Sequence, residues 1–222
     1  MEVRILKLIF SDIEVARRDI PKIRGFIASN YPEYDELHNH KGDKYIYRYP
    51  LIQYKDIDGK PAIVGINEGA DIIASLEDRI NSLNIGGSSV EIFEKNISYV
   101  SSIYEATDSM LSYSFCSPWM CLNEKNYRSF VIADSYNKAK LLKNILIGNI
   151  LSMSQRFNYT VDKQLNTYIN LTPCKINFKN NEMIGFKGEF IVNFYIPDYI
   201  GLGKSVSRGF GTVRRQGNKE YL

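Results

Sequence analysis

The 222-residue sequence has only two histidines, one tryptophan and three cysteines, and no long uninterrupted apolar run. Cys116, Cys121 and Cys174 are odd in number and lack CxxC spacing, so neither a disulfide framework nor a structural zinc site is suggested. A reducing, cytoplasmic setting is expected. Residues 1–10 carry Glu2, Arg4 and Lys7 among their apolar positions, which is wrong for a signal-peptide core. The most apolar later stretch, residues 141–151, is broken by Lys143, Asn144 and Asn149, so no membrane role is expected. Charge of one sign is lacking as well. Twenty-eight Lys and Arg against 25 Asp and Glu leave a net +3, so any basic surface must come from clustering. Such a cluster occurs at 204–219, where Lys204, Arg208, Arg214, Arg215 and Lys219 meet no acid.

The apolar periodicity predicts an α+β protein. Residues 3–10 form a β-prone run ended by Ser11-Asp12, and Val15, Ile20, Ile23, Phe26 and Ile27 then take helical spacing, with Pro21 marking a kink or a helix start. Residues 44–50 and 51–55 are β-prone, and Asp58-Gly59 turns the chain into a further strand at 61–66. A helix over 70–83, stopped by Gly86-Gly87, and a strand over 88–103 complete a β-α-β-β-α-β order, the ferredoxin-like arrangement with one sheet face covered and the other free. A second pass follows: a strand at 111–116, a loop at 123–128, a long helix over 133–157, strands at 174–179 and 183–196 turning at Asn180-Asn181, and a last strand at 210–214. Two tandem ferredoxin-like (RRM-like) domains are therefore expected, residues 1–105 and 106–222. Trp119 reads as core, whereas Tyr195 and Tyr199 suit either base stacking or strand-end packing.

The strongest local signal is Gly201-x-Gly203-x₅-Gly209-x-Gly211. It is not a dinucleotide fingerprint, since Val206 stands where a glycine is needed, and no helix has room to follow. It is not a P-loop either: Gly203-Lys204-Ser205 supplies the end of that motif, but Asp198 occupies the position of its first glycine. Four glycines with Lys204, Ser205, Ser207 and Arg208 between them suit a phosphate cradle of backbone N–H groups, hydroxyls and cations. The competing reading is a glycine-rich turn with a solvated basic tip.

The two histidines, His38 and His40, lie two apart beside Lys44-Tyr45-Ile46-Tyr47-Arg48-Tyr49. If the segment is extended, His38 and His40 share a side, and so do Tyr45, Tyr47 and Tyr49. Three readings stay open: metal binding, for which no third ligand is evident, proton transfer near neutral pH, or an ordinary polar loop. Proton transfer suits RNA, because the ribose 2′-OH supplies its own nucleophile and a cation can stabilise the phosphorane.

Beyond these local signals, the ordered set of segments resembles the CRISPR-associated RAMP endoribonucleases of the Cas-six family, subtype b, over nearly the full chain. The resemblance rests on Arg24-Gly25-Phe26-Ile27, Leu37-His38-Asn39-His40-Lys41, Tyr47-Arg48-Tyr49-Pro50-Leu51-Ile52-Gln53-Tyr54-Lys55, Pro118-Trp119 and the run from Ile196 through the glycine segment to Thr212. It implies two RRM-like halves and metal-independent cutting of precursor CRISPR RNA within its repeat, leaving a 5′-OH and a 2′,3′-cyclic phosphate, for guide maturation in antiviral defence. It favours His40 as general acid or base with Tyr47 as its partner, His38 as a second candidate and Lys44 as a further catalytic residue. Lys41, Arg48, Gly201, Gly203, Lys204, Ser205, Ser207, Arg208, Gly209 and Gly211 are implied RNA contacts. No metal or cofactor is implied. The partners implied are repeat RNA and other CRISPR effector subunits, with the chain a monomer or homodimer. The alternative is a noncatalytic RNA-binding RAMP subunit of an effector complex.

Overall fold

The structure is a computed structural model describing residues 1–38, 40–41, 44–45, 48–179 and 181–217, with the backbone alone at 38, 40, 41, 44 and 45. The chain divides into two compact units. One holds residues 2–102 together with 206–209, and the other holds residue 1, 103–205 and the segment from 210.

The first unit begins with β1 (Glu2–Phe10), a 3-10 turn (Arg17–Asp19), α1 (Ile20–Asn30) and α2 (Asp35–His38). A small hairpin of β2 (His40–Lys41) and β3 (Lys44–Tyr45) leads to β4 (Ile52–Ile57) and β5 (Lys60–Ile66). Then come α3 (Glu68–Leu76), a hairpin of β6 (Ser82–Ile85) and β7 (Ser88–Glu91), and β8 (Lys95–Ile103). The main sheet runs β4-β5-β1-β8, the order of a ferredoxin-like repeat. Pro21 sits in the first turn of α1, where its missing N–H costs nothing, so the helix starts there and not near Val15.

Alternation places Leu6, Leu8 and Phe10 on one face of β1, where they join Ile52, Tyr54 and Ile63 against α1 and α3. Ile20, Ile23 and Ile27 of α1 and Ala70, Ile73 and Leu76 of α3 recur at helical spacing and enter the same core. Each fully buried Ile or Leu there contributes about 1.5–3 kcal/mol. The reverse face is not free as expected. Ile5, Val64 and Ile66 are buried there, and so are Gln53 and Lys55, which follows from the nearly unbroken apolar runs of β4 and β5.

The helix expected over 70–83 ends at Leu76. Gly86 (φ 65°) and Gly87 (φ 95°) do not stop a helix but make the two-residue turn between Ile85 and Ser88, a geometry that needs positive φ at both central residues.

The second unit contains β9 (Glu105–Trp119), α4 (Glu124–Ile132), α5 (Ser135–Arg156), β10 (Thr167–Phe178), β11 (Asn181–Tyr195) and β12 (Val213–Arg215). Its sheet order, β10-β11-β9-β12, repeats the pattern of the first. No helix separates β11 from β12, so in chain order the glycine segment stands where the second helix of the repeat belongs. Residues 123–128, expected as a loop, begin α4, whose N-cap Asn123 accepts a hydrogen bond from the Asn126 N–H at 2.7 Å. Pro173 is tolerated in β10 because that strand is at the sheet edge.

Leu142, Leu146, Ile150 and Met153 of α5 are buried, as are Tyr113, Phe115, Trp119, Phe186, Phe190 and Phe194 of the sheet. Phe115 stacks on Trp119 at 5.3 Å, and the Trp119 indole N–H donates to Asn149 Oδ1 at 3.1 Å, so this tryptophan is a core residue. The Tyr113 hydroxyl donates to the Phe194 carbonyl at 3.0 Å and accepts from the Ile196 N–H at 2.9 Å. Burial pushes its pKa up to about 12. Among the described residues, no helix is long and apolar enough to cross a membrane.

Candidate functional site

The glycine segment is a loop closed on an antiparallel base. Gly201 bridges Thr212, the Leu202 N–H donates to the Gly211 carbonyl at 2.9 Å, and the Val213 N–H donates to Ile200 at 3.0 Å. Three of its glycines have positive φ: Gly203 (91°), Gly209 (88°) and Gly211 (62°), and Ser205 (56°) joins them. The reason lies inside the protein. A Cβ on Gly203 would stand 2.5 Å from the Met120 carbonyl oxygen, and one on Gly211 would overlap the Leu202 carbonyl oxygen. The amides are committed as well: Lys204 N–H donates to Met120 at 2.7 Å, Gly211 N–H to Pro118 at 2.9 Å and Gly209 N–H to Val206 at 3.4 Å. The amides of Lys204, Gly209 and Gly211 are thus not free to join the expected cradle, and these glycines serve the protein's own packing. They let the chain pass close to β9 and turn back.

Lys204 reaches the Leu122 carbonyl with its ammonium at 3.0 Å, and its pKa is lowered by burial. It borders a cavity of about 710 Å³ in the second unit, with Leu122, Tyr127, Pro173 and Met183 on its walls. Ser205, Ser207 and Arg208 are partly exposed, while Gly201, Gly209 and Gly211 are buried.

Residues 206–209 form part of the first unit, along the outer edge of β4. Tyr54 pairs with Arg208 in a parallel bridge, and its N–H donates to the Ser207 carbonyl at 3.4 Å. Lys55, fully buried, donates from Nζ to the Val206 carbonyl at 3.1 Å. A lysine inside an apolar strand was the sequence signal for this contact, because burying its ammonium requires acceptors. The loop thus covers an edge strand that would otherwise expose unpaired backbone groups.

The histidines do not share an extended segment. His38 closes α2, and His40 opens β2, opposite Tyr45 of β3, with Lys41 opposite Lys44. The change from helix to strand between them removes the simple two-residue alternation expected from the sequence. Tyr47 lies outside the described residues. Arg48 lies 3.5 Å from Glu36, so its guanidinium is ion-paired with α2. Tyr195 and Tyr199 lie under Arg215 and Arg214 at 5.3 and 5.8 Å, a cation–π arrangement at the strand end. Among the described residues no three His, Cys, Asp or Glu side chains gather as a metal site.

Two ferredoxin-like repeats in tandem are the fold of Cas6 proteins. The structure of Csf5, a type IV Cas6 crRNA endonuclease, shares it with a TM-score of 0.58 and 10% identity, covering 98% of this chain and 100% of that one. More narrowly, residues 1–102 match the Cas6b N-terminal domain and residues 105–216 the Cas6b C-terminal domain, and the chain belongs to the Cas6b family. A crystal structure of Cas6b is 40% identical with a TM-score of 0.93, covering 97% of this chain and 100% of that one. A second, of the CRISPR RNA processing endoribonuclease Cas6b, is 36% identical with a TM-score of 0.81 and the same coverage. An uncharacterized protein of Methanocaldococcus jannaschii is 41% identical over 137 residues, 61% of this chain and 93% of that protein.

Proposed function

We propose that this chain cuts precursor CRISPR RNA within the repeat, without a metal, to mature guide RNA for antiviral defence. The observation that carries the reading is the full-length likeness to a CRISPR RNA processing endoribonuclease, 36% identical over 97% of this chain. The placement of His40 in a hairpin, in the unit that also receives Arg208, supports it.

In this mechanism the ribose 2′-oxygen attacks the adjacent phosphorus as the bond from phosphorus to the 5′-oxygen breaks. The 2′-proton goes to a base, and the departing 5′-oxygen takes a proton, leaving a 2′,3′-cyclic phosphate and a 5′-OH. His40 serves as general acid or base, since an imidazole titrates near neutrality and can hold or give the proton. Tyr47 is its partner, His38 the second candidate for the role, and Lys44 stabilises charge on the phosphorane. Lys41 and Arg48 contact RNA beside this hairpin. Arg208, Ser205, Ser207 and Lys204 do so along the glycine segment, with Gly201, Gly203, Gly209 and Gly211 setting its path. The protein acts in the cytoplasm on repeat RNA, as a monomer or homodimer and alongside other effector subunits.

The test is incubation with end-labelled repeat RNA in EDTA, followed by identification of the product ends. A 5′-OH and a cyclic phosphate are expected. A metal requirement or a 5′-phosphate product refutes the mechanism, and binding without cleavage makes the chain an RNA-binding subunit only.

A further inference from the structure

The cavity that Lys204 borders has no part in the chemistry at the histidine hairpin, and all of its lining lies in the second unit. It arises from the way α4 meets the sheet. Phe130 rests edge-on against Phe186, with ring centroids 5.4 Å apart. Tyr127 comes three residues earlier and shares that helix face. Yet Tyr127 is 46% exposed, and α4 buries no residue at all. The first turn of α4 thus stands off the sheet and leaves a slot beside the Tyr127 ring.

The opposite wall follows from strand register. Ile184 is two residues from Phe186 on β11 and shares its face, while Lys175 and Pro173 of β10 pair with Ile184 and Phe186. Ile184 and Pro173 therefore lie on the face that α4 covers, and Leu122, just before the helix, adds to the apolar lining. The slot has a phenol ring on one side and aliphatic carbons on the other. It opens to solvent where Tyr127, Pro173 and Lys204 are exposed.

The charges around it are not equivalent. Glu124 is ion-paired with Arg128 at 2.6 Å, and Glu182 with Lys175 at 3.1 Å. Lys204 meets no carboxylate among the described residues. Its ammonium donates to the Leu122 carbonyl at 3.0 Å, which occupies one of its three N–H groups. One positive charge is therefore left for an anion beside an apolar slot. The volume of about 710 Å³ lies within the roughly 300–1,000 Å³ of small-ligand sites. A flat ring with an anionic group close to it answers the walls and the rim together, and a nucleotide has that form. Because Lys204 belongs to the glycine segment, the nucleotide is one of a bound strand and not a free one.

We infer that this cavity receives one unstacked base of bound RNA against the Tyr127 ring, with Lys204 on the phosphate of the same nucleotide. The inference rests on the RNA-binding reading given above and adds to it a site for a base. Aromatic faces hold single-stranded RNA in this way once a base has left its stack.

The test measures binding of repeat RNA by fluorescence anisotropy across a range of KCl concentrations, for the full chain and for Tyr127→Ala, Tyr127→Phe and Lys204→Met. Tyr127→Ala should fold, since the side chain is half exposed on a helix and alanine is the best helix former. It is expected to weaken binding about tenfold or more, the scale of a lost base–aromatic stack, with the log–log salt slope unchanged. Tyr127→Phe keeps the ring and should bind within about twofold of the parent.

An abasic scan of the RNA locates the base. With the unaltered protein, one position should lose affinity by a similar factor, and at that position Tyr127→Ala should bring no further loss. A methylphosphonate at the same nucleotide should make the parent's slope shallower and leave Lys204→Met no more to lose; a full Lys204→Met effect on that RNA overturns the shared nucleotide. A folded Tyr127→Ala with unchanged affinity overturns the base site, as does a flat abasic scan. If the unaltered chain fails to bind repeat RNA, the proposed function falls and the base site with it. If it binds and cuts while Tyr127→Ala behaves like it, only the base site falls.

Discussion

Substituting Gly211 by alanine separates two uses of a glycine-rich segment, internal packing and close approach to a ligand. Gly211 has φ 62°, a region that costs a residue with a Cβ about 1–2 kcal/mol. The added methyl would also overlap the Leu202 carbonyl oxygen, which is backbone and cannot rotate away. Relieving the overlap moves the strand that carries two hydrogen bonds, Gly211 N–H to Pro118 at 2.9 Å and Leu202 N–H to the Gly211 carbonyl at 2.9 Å. Losing each costs about 0.5–1.5 kcal/mol. Gly211→Ala is thus expected to destabilise the protein by about 2–5 kcal/mol, a fall in Tm of roughly 5–15 °C for a chain of this size. The control is Gly25→Ala, in α1 with nothing within 4 Å of its Cβ, which should be stabilising by about 0.5–1 kcal/mol. Thermal melts and urea titrations without RNA read both. A Gly211→Ala protein that melts with the parent, or a Gly25→Ala protein that loses as much, would refute the packing argument.

Three further outcomes follow from the same geometry. Lys55→Met removes the donor to the Val206 carbonyl and should lower stability by about 1–3 kcal/mol in urea unfolding, whereas an unchanged midpoint would show that this lysine does not hold the tip. Tyr113 has its pKa raised to about 12, above its unfolded value of about 10. Its contribution is therefore complete below pH 10 and is lost as pH rises from about 10 to 12; Tyr113→Phe should be less stable at neutral pH and show a shallower alkaline decline, and parallel pH curves would contradict this. Lys204→Met should weaken repeat-RNA binding and make its salt slope shallower by about 0.7–0.9, and a slope equal to the parent's would assign Lys204 to its Leu122 carbonyl alone.

Strong periodicity made some elements readable in advance. The apolar runs of β1 and β5, the stripe of Ile20, Ile23 and Ile27, and that of Leu142, Leu146 and Ile150 were all legible. Where a stripe was absent or coincidental, the reading failed. α4 buries no residue, so it left no apolar stripe to see. Leu76, Ile80 and Leu83 mimic helical spacing, although Leu83 is buried from strand β6. The glycine spacing correctly marked an unusual backbone, but not that the amides of Lys204, Gly211 and Gly209 are spent on Met120, Pro118 and Val206. Tyr54 could not be paired with Arg208 from sequence, because only the tertiary fold carries residues 206–209 into the first unit.

The division between the histidine hairpin and the glycine segment is tested most directly by one variant carried through two assays. His40→Ala should bind repeat RNA within about threefold of the parent while its single-turnover cleavage in EDTA falls by about 10²–10⁴, the scale of a lost general acid or base. Full cleavage by that variant, or loss of binding in step with loss of cleavage, would contradict the assignment.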